Sequence, residues 1–345
     1  MAKDRLKEDK VDSVLKKLAK AVEPALEEIL VVNTNKKFHP IVKYQALTGG
    51  KRLRPALSII SCLMLGGKLK DILYPAAGLE ILHNYSLIID DMIDNSRLRR
   101  GKPTTWFKFG NSIAQCVGVY YAASIFLAAN KSKKPTFISE ALAKTIKTVF
   151  DGEILDILFE RSGRENEPYV VKNRYRDVTE KDYFEMISKK TAVLFQASCE
   201  VGGICAGARN KQLEALRKYG FNYGMTFQIT DDILDIFGKE YKFQKKIGGD
   251  IEERKEGNAV ILCALKELSS VDRKKLLGIL RKGKVRKKDI KEAMKLIDKT
   301  NSREKAHNMA ERFAKKAKDA LAVLPQNKWN DILAALVGFS LKREK

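Results

Sequence analysis

Apolar residues along this chain recur mainly at spacings of three and four positions, which is the period of an amphipathic α-helix. Alternating patterns typical of strands are scarce. With 22 glycines and 8 prolines, the chain also has few residues for the many tight turns of a sheet-rich fold. The pattern predicts an all-α fold, with long helices over residues 1–32, 111–129, 137–160 and 211–237 and more helix after 259.

Helix starts and stops are marked by local signals. Pro75 is predicted to open a helix that ends near residue 97, because proline fits the first turn, where no amide donor is needed. Thr179, followed by Asp182, has the form of a capping box and predicts a helix continuing to about residue 207. Nothing between the helices resembles an interdomain linker, so we expect one domain over all 345 residues. Loops are expected over residues 99–105, 161–177 and 238–258.

The composition is that of a globular protein, with 44% hydrophobic and 32% charged residues. Its formal net charge is +23, from 66 Lys and Arg against 43 Asp and Glu. Such a charge attracts anions, whether nucleic acid, an anionic membrane or phosphorylated substrates. Surplus lysine can equally solvate helix faces. We interpret the run from Lys282 to Lys288 in that way, since it lacks the interleaved aromatic residues of a single-strand binder.

The five cysteines stand on apolar segments, without zinc-ligand spacing. We expect them to be buried core residues in a reducing cytoplasm. The amino terminus does not resemble a signal peptide, and the most apolar stretch, Cys116 to Ala129, is short for a bilayer span. These features predict a soluble, cytoplasmic protein.

Two helical segments each carry the acidic pattern D-D-x-x-D. At 100° per residue, the first and last aspartates of each cluster lie on one face of the helix, about 40° apart. Like charges on an apolar helix are unfavourable unless a cation neutralises them, and carboxylates with open positions suit magnesium. One such cluster could be a solvated helix end, but two of the same form favour a shared metal site. The clusters are Asp90, Asp91 and Asp94, and Asp231, Asp232 and Asp235.

Basic residues stand close to both clusters in the sequence. Any single lysine could be an ordinary surface residue, but their grouping beside the acidic helices indicates a site for a diphosphate, which needs cationic donors as well as metal. The grouped residues are Lys51, Arg52, Arg54, Arg99, Arg100, Lys190, Lys239, Lys245, Lys246 and Lys255.

The ordered set of motifs resembles the trans-isoprenyl (polyprenyl) diphosphate synthases, over roughly residues 45–265. It comprises GGKRLRP, LHNYSLIIDDMIDNSRLRRGKPTTW, GEILDI, SKKTAVLF, FQITDDILD and KKIGGDIEERK. The resemblance implies an antiparallel helical bundle around a deep central cavity. It also implies condensation of isopentenyl diphosphate with an allylic diphosphate, three magnesium ions per site and a homodimer. We expect no nucleic-acid partner, and peripheral contact with a membrane remains open.

By position, the resemblance assigns roles to individual residues. Asp90, Asp94 and Asp231 match magnesium ligands, and Asp91, Asp232 and Asp235 match ligands or residues beside them. These six and Lys190 are expected to be catalytic. Isopentenyl diphosphate is assigned to Lys51, Arg54, His83 and Arg100. The allylic diphosphate is assigned to Arg99, Lys190, Thr191, Gln228, Lys245, with Lys246 as an alternative, and Lys255. Trp106 departs from many relatives, which we interpret as harmless. The segment EGNAVI after Lys255 also departs from them and leaves the exact lid contact open.

Product length is predicted from the residues before the first cluster. Tyr85, five residues before Asp90, and the uninterrupted DDMID resemble the archaeal-type geranylgeranyl diphosphate synthases, which implies a twenty-carbon product. Helix geometry instead brings Ser86 closer to the acidic face. Farnesyl or geranylfarnesyl diphosphate therefore remain alternative products. A class I terpene cyclase and a non-catalytic basic helical binding protein are the competing functions.

Overall fold

The computed structural model describes residues 2–238 and 247–342, with side chains from residue 11 onward. Lys239, Lys245 and Lys246, for which the sequence predicts diphosphate contacts, lie outside the described residues. Over the described ranges the chain is helical apart from one two-stranded hairpin and an isolated bridge between Glu160 and Lys255. The prediction of an all-α fold is therefore confirmed.

The first half of the chain contains seven α-helices and the hairpin. They are α1 (Ala2–Val31), α2 (His39–Leu47), α3 (Leu53–Met64), α4 (Leu69–Ile93), β1 (Leu98–Arg99), β2 (Lys102–Pro103), α5 (Thr105–Phe109), α6 (Asn111–Asn130) and α7 (Pro135–Leu158), with a 3₁₀ turn at Lys36–Phe38.

The second half continues with α8 (Pro168–Asn173), α9 (Glu180–Ile187), a π-helical turn (Ser188–Ala192), α10 (Val193–Ala206) and α11 (Asn210–Phe237). Beyond the segment that is not described come α12 (Gly249–Glu252), α13 (Ala259–Glu267), α14 (Ser270–Leu280), α15 (Lys287–Ile297), α16 (Ser302–Ala320), a 3₁₀ turn (Leu321–Val323) and α17 (Lys328–Lys342).

Several predicted boundaries were wrong. Helix α4 begins at Leu69 and contains Pro75 in its second turn, so the proline does not open it. The predicted loop over 99–105 contains all but the first residue of a hairpin, in which Arg99 pairs with Lys102. The predicted loop over 161–177 contains α8. The capping box of Thr179 and Asp182 is confirmed, since each residue bonds the other's backbone amide.

The chain folds into two compact units. Unit 1 comprises residues 1–149, 193–223 and 316–339, and unit 2 comprises residues 150–192, 224–315 and 340–345. In unit 1, α3 packs closely on α10, where a Cβ at Gly202 would lie 2.2 Å from the Ser58 carbonyl oxygen. In the same unit α4 packs on α6. The single-domain assignment stays a prediction.

Helix α6 contains the apolar stretch Cys116 to Ala129 and is longer than that stretch, which by itself is short for a bilayer span. Its 20 residues are long and apolar enough to cross a membrane by length and composition, with a mean hydropathy of 1.5. Within the structure 44% of that apolar window is buried, and core helices of globular proteins pass the same test. The expectation that every cysteine is buried was also wrong, because Cys116 on this helix is exposed.

Candidate active site

The first acidic cluster lies at the carboxyl end of α4, in unit 1. Strand β1 brings Arg99 onto it, where Arg99 Nη2 donates to Asp90 Oδ2 at 2.6 Å and Nε donates to Asp91 Oδ1 at 2.7 Å. Asp94 forms the carboxyl cap of the helix and is partly exposed. One guanidinium thus bridges two adjacent carboxylates and balances the charge of only one of them.

Asp91 is the buried member of this cluster. Burial raises the pKa of its carboxyl to about 7, against the opposing pull of Arg99. Burial alone would lower the pKa of Arg99, but the carboxylates of Asp90 and Asp91 raise it above its ordinary value. Asp91 Oδ2 is buried without a hydrogen-bond partner. An additional cation would therefore be favoured at this cluster.

The loop between α2 and α3 and the first turn of α3 carry the basic residues of the GGKRLRP motif. Lys51 is exposed, and the Arg54 guanidinium lies 4.3 Å from the centre of the Phe195 ring. Arg100 Nη1 donates to the carbonyl of Gly49. Gly50 has a φ of 131°, a conformation that favours glycine, and a Cβ there would lie 2.6 Å from Arg100 Nη1.

His83 lies on α4, where the positive charges of Arg54 and Arg100 act on it. Withdrawal from water, together with the charges of Arg54 and Arg100, holds the pKa of His83 well below its ordinary value. The imidazole is therefore neutral near pH 7. It can donate one hydrogen bond to a diphosphate oxygen without adding another charge.

The three aspartates of the second acidic cluster, on α11 in unit 2, lie in different environments. Asp232 is buried and accepts from the Tyr183 hydroxyl at 2.7 Å, the Ala259 amide at 2.9 Å and Gln228 Nε2 at 2.9 Å. Burial, then the charge of Asp250, raises the pKa of Asp232 to about 7.

The carboxylate of Asp235 is also bonded by the protein backbone. Its two oxygens accept from the amides of Gly249 and Asp250 at 3.1 and 3.2 Å, at the start of α12. A carboxylate at a helix amino terminus is favoured by the helix dipole. Asp231 is partly exposed and is thus the member of this cluster most accessible to a metal ion.

Lys190 and Lys255 meet at a buried pair of acids on α7. Lys190 Nζ lies 2.7 Å from both Glu153 Oε2 and Asp156 Oδ2, and Lys255 Nζ lies 3.0 Å from the same Asp156 oxygen. Burial would raise the pKa of Asp156, but the two ammonium groups outweigh it and lower the pKa. The two lysines assigned to the allylic diphosphate are thus brought together.

The π-helical turn after α9 presents Lys190 and Thr191. It packs so closely on α7 that a Cβ at Gly152 would lie 2.2 Å from the Lys190 amide nitrogen. Thr191 Oγ1 donates to Gln228 Oε1 at 2.8 Å, and Gln228 in turn bonds Asp232. A chain of hydrogen bonds therefore joins the turn to the second acidic cluster.

Several residues of this site were missed in the sequence. The motif GEILDI was noted there, but no role was given to Glu153 or Asp156, although their spacing of three places them on one helix face. Tyr183 carried no recognisable signal. The same is true of Glu80, which holds Arg52 within unit 1.

The donor set of both clusters fits magnesium, because carboxylate oxygens are the ligands that this hard cation prefers. Among the described residues no three His, Cys, Asp or Glu side chains form a preformed metal cage. Magnesium in proteins is commonly held by one or two carboxylates and completed by substrate phosphates. The residues with this role would be Asp90, Asp94 and Asp231.

Comparisons with known proteins agree with these features. The chain is 32% identical to the short chain isoprenyl diphosphate synthase of Methanothermobacter thermautotrophicus, over 97% of this chain and 99% of the relative. It is 35% identical to the geranylgeranyl diphosphate synthase of Saccharolobus solfataricus, over 86% and 87% of the two chains. The crystal structure of geranylgeranyl pyrophosphate synthetase from Pyrococcus horikoshii matches with a TM-score of 0.86 and 31% identity, covering 97% of this chain and 99% of that one.

The family model described as Polyprenyl synthetase matches residues 35–297, about three quarters of the chain. The family predicted from the motifs is thereby confirmed. This chain belongs to the polyprenyl synthetase family of prenyltransferases.

Proposed function

We propose that the protein condenses isopentenyl diphosphate with dimethylallyl, geranyl and farnesyl diphosphates, and that its main product is geranylgeranyl diphosphate. The observation that carries this proposal is the pair of acidic clusters, each with at least one buried aspartate held by the protein and a partly exposed aspartate beside it. Similarity to relatives named geranylgeranyl diphosphate synthase supports the product length.

The proposed mechanism begins with ionisation of the allylic diphosphate. Family members generally use magnesium, which when bound would neutralise the charge of the leaving diphosphate. Three ions per site are part of the proposal. Lys190 and Lys255 would add ammonium donors to the leaving group, where charge develops in the transition state.

The second substrate would be held by the cations of unit 1. Lys51, Arg54 and the neutral His83 supply donors of different kinds for the diphosphate of isopentenyl diphosphate. Holding its double bond beside the allylic cation lowers the entropy cost of the reaction. The proton then lost can be accepted by the released diphosphate, so the mechanism requires no protein base.

Chain length is proposed to depend on Tyr85. Its ring packs toward α6, where a Cβ at Gly118 would lie 3.5 Å from Tyr85 Cε2. Ser86 instead donates to the His83 carbonyl at 2.9 Å, so its hydroxyl is engaged within α4. These contacts favour Tyr85 over Ser86 as the residue that limits the growing chain.

A homodimer is also proposed. Helix α6 exposes several large apolar side chains, and contiguous apolar surface of this kind is typical of protein interfaces. Cytoplasmic location and contact with a membrane surface remain further parts of the proposal. The exposed side chains are Ile113, Val119, Tyr120, Phe126 and Leu127.

The test is incubation with radiolabelled isopentenyl diphosphate and each allylic primer in turn, followed by chromatography of the products. We expect magnesium-dependent incorporation with a twenty-carbon main product. Conversion of an allylic diphosphate alone into a hydrocarbon would favour a terpene cyclase. Absence of conversion together with tight, salt-dependent nucleic-acid binding would favour the basic binding protein.

A further inference from the structure

A buried arginine, Arg52, lies between the two more accessible cations of the GGKRLRP motif, Lys51 in the loop before α3 and Arg54 in its first turn. Arg52 is 6% exposed, whereas Lys51 before it is exposed and Arg54 after it lies over an aromatic ring. The backbone of Arg52 has a φ of 49°, in the left-handed region. That conformation is unfavourable for a residue with a Cβ, so it persists where surrounding contacts impose it.

Two groups hold the Arg52 side chain in place. Nη1 donates to Glu80 Oε1 at 2.7 Å, and Nη2 donates to the carbonyl of Ala46. Glu80 is 1% exposed, and Asn84 Nδ2 donates to the same Glu80 oxygen at 2.9 Å. Removing one member of a buried ion pair leaves an uncompensated charge, so each charge fixes the position of the other.

This pair joins the loop to the helix that carries the neighbouring functional residues. Glu80 lies on α4, three residues before His83 and ten before Asp90. Arg52 therefore sets the distance between the loop and the helix face that presents His83. Arg52 is the N-cap of α3, with Lys51 before it in the loop and Arg54 as the second residue of the helix, so a displacement of Arg52 would redirect Lys51 and shift the start of α3 that carries Arg54.

We propose that the buried pair of Arg52 and Glu80 positions Lys51 and Arg54 for the diphosphate of isopentenyl diphosphate. Neither member of the pair contacts substrate, and both act through the loop. This inference rests on the proposed condensation reaction. The proposal also predicts that loss of the pair weakens binding of isopentenyl diphosphate more than binding of the allylic diphosphate. The reason is that Lys190 and Lys255 are held by Asp156 on α7 and not by this pair.

The experiment measures KM for each substrate in Glu80→Gln, with kcat and thermal stability recorded together. We expect KM for isopentenyl diphosphate to rise at least about ten-fold, while KM for farnesyl diphosphate changes less than about two-fold, since the loop loses its anchor. Ile72→Val is the matched control. It shortens a fully buried side chain on the same helix, away from the loop.

A second, double variant separates the effect on the position of Lys51 and Arg54 from the effect on the stability of the protein. In Arg52→Met with Glu80→Leu both charges are removed, and replacing a buried pair by apolar residues is often neutral for folding. We expect near-normal thermal stability with KM for isopentenyl diphosphate still raised. An unchanged KM in both variants, or an equal rise in KM in Ile72→Val, would overturn the inference.

The proposed reaction can fail separately. If the unaltered protein does not incorporate isopentenyl diphosphate, the proposed function is overturned and this inference with it. If the unaltered protein condenses the two substrates but the variants bind isopentenyl diphosphate normally by calorimetry, the inference alone is overturned.

Discussion

The hydroxyl of Tyr183 donates a hydrogen bond to Asp232 Oδ2 across 2.7 Å, with both side chains buried. Together with the bond from the Ala259 amide, it joins Asp232 on α11 to α9 and α13, while Gln228 donates to Asp232 from α11 itself. The adjacent Asp231 remains partly exposed. Two neighbouring aspartates of one motif thus have different environments, one suited to structure and the other to metal binding.

This arrangement predicts that Tyr183→Phe weakens folding more than catalysis. The variant leaves a buried carboxylate with one donor fewer, which should lower the free energy of unfolding by about 1–3 kcal/mol. Asp231 stays in place, so turnover should fall by less than about ten-fold. Urea denaturation and steady-state assays measure the two effects. An unchanged urea midpoint would contradict the structural role.

Asp90→Ala and Asp231→Ala are predicted to have the opposite effect. Turnover should fall by several powers of ten, because each change removes a carboxylate that we propose binds magnesium, while helix content by circular dichroism stays nearly constant. Glu140→Ala is the control, since Glu140 is an exposed acid on α7 that pairs with Lys144. Near-normal magnesium-dependent turnover in both cluster variants would refute the assignment.

The sequence predicted helices and acidic clusters because both follow from local spacing. It could not predict which aspartates are buried, since the donors of Asp232 come from residues 49 positions before it and 27 after it. Nor could it predict that α4 begins six residues before Pro75, because local rules place a proline in the first turn of a helix, and here it lies in the second. Long-range partners decide such features, and one sequence does not record them.

Tyr85→Ala should lengthen the products. Removing the ring beside Gly118 opens space next to α6 for a longer chain, so products beyond twenty carbons are expected. Ser86→Ala tests the alternative suggested by helix geometry, and it should leave the products unchanged. Chromatography of radiolabelled products after exhaustive elongation distinguishes the two. A shift in Ser86→Ala alone would assign the length limit to Ser86 instead.

The ion pairs of Asp156 with Lys190 and Lys255 are predicted to stabilise the protein less as the pH falls. Its pKa is lowered below the ordinary 3.8 in the folded protein, because Lys190 and Lys255 outweigh the effect of burial. A carboxyl of this kind stabilises the fold above its unfolded pKa, and the contribution is lost as the pH falls through the folded value. Asp156→Asn should therefore be less stable than the unaltered protein at neutral pH, with the difference shrinking in acid. Urea denaturation at several pH values measures it, and a difference that grows in acid would contradict the argument.

Gly152 gives a prediction about the turn that presents Lys190. In Gly152→Ala the added methyl carbon would lie 2.2 Å from the Lys190 amide nitrogen and 2.7 Å from its Cα, so α7 and the π-helical turn must separate. We expect a loss of about 1–3 kcal/mol in unfolding free energy and a higher KM for the allylic diphosphate, because Lys190 is displaced from Asp156. Gly278→Ala is the matched control, since Gly278 lies inside α14 with no heavy atom within 4 Å of the new carbon. There the same substitution should stabilise the helix by about 0.5–1 kcal/mol and leave KM unchanged. If Gly152→Ala proved as stable and as active as Gly278→Ala, the close contact between α7 and the turn could not be what holds Lys190 in place.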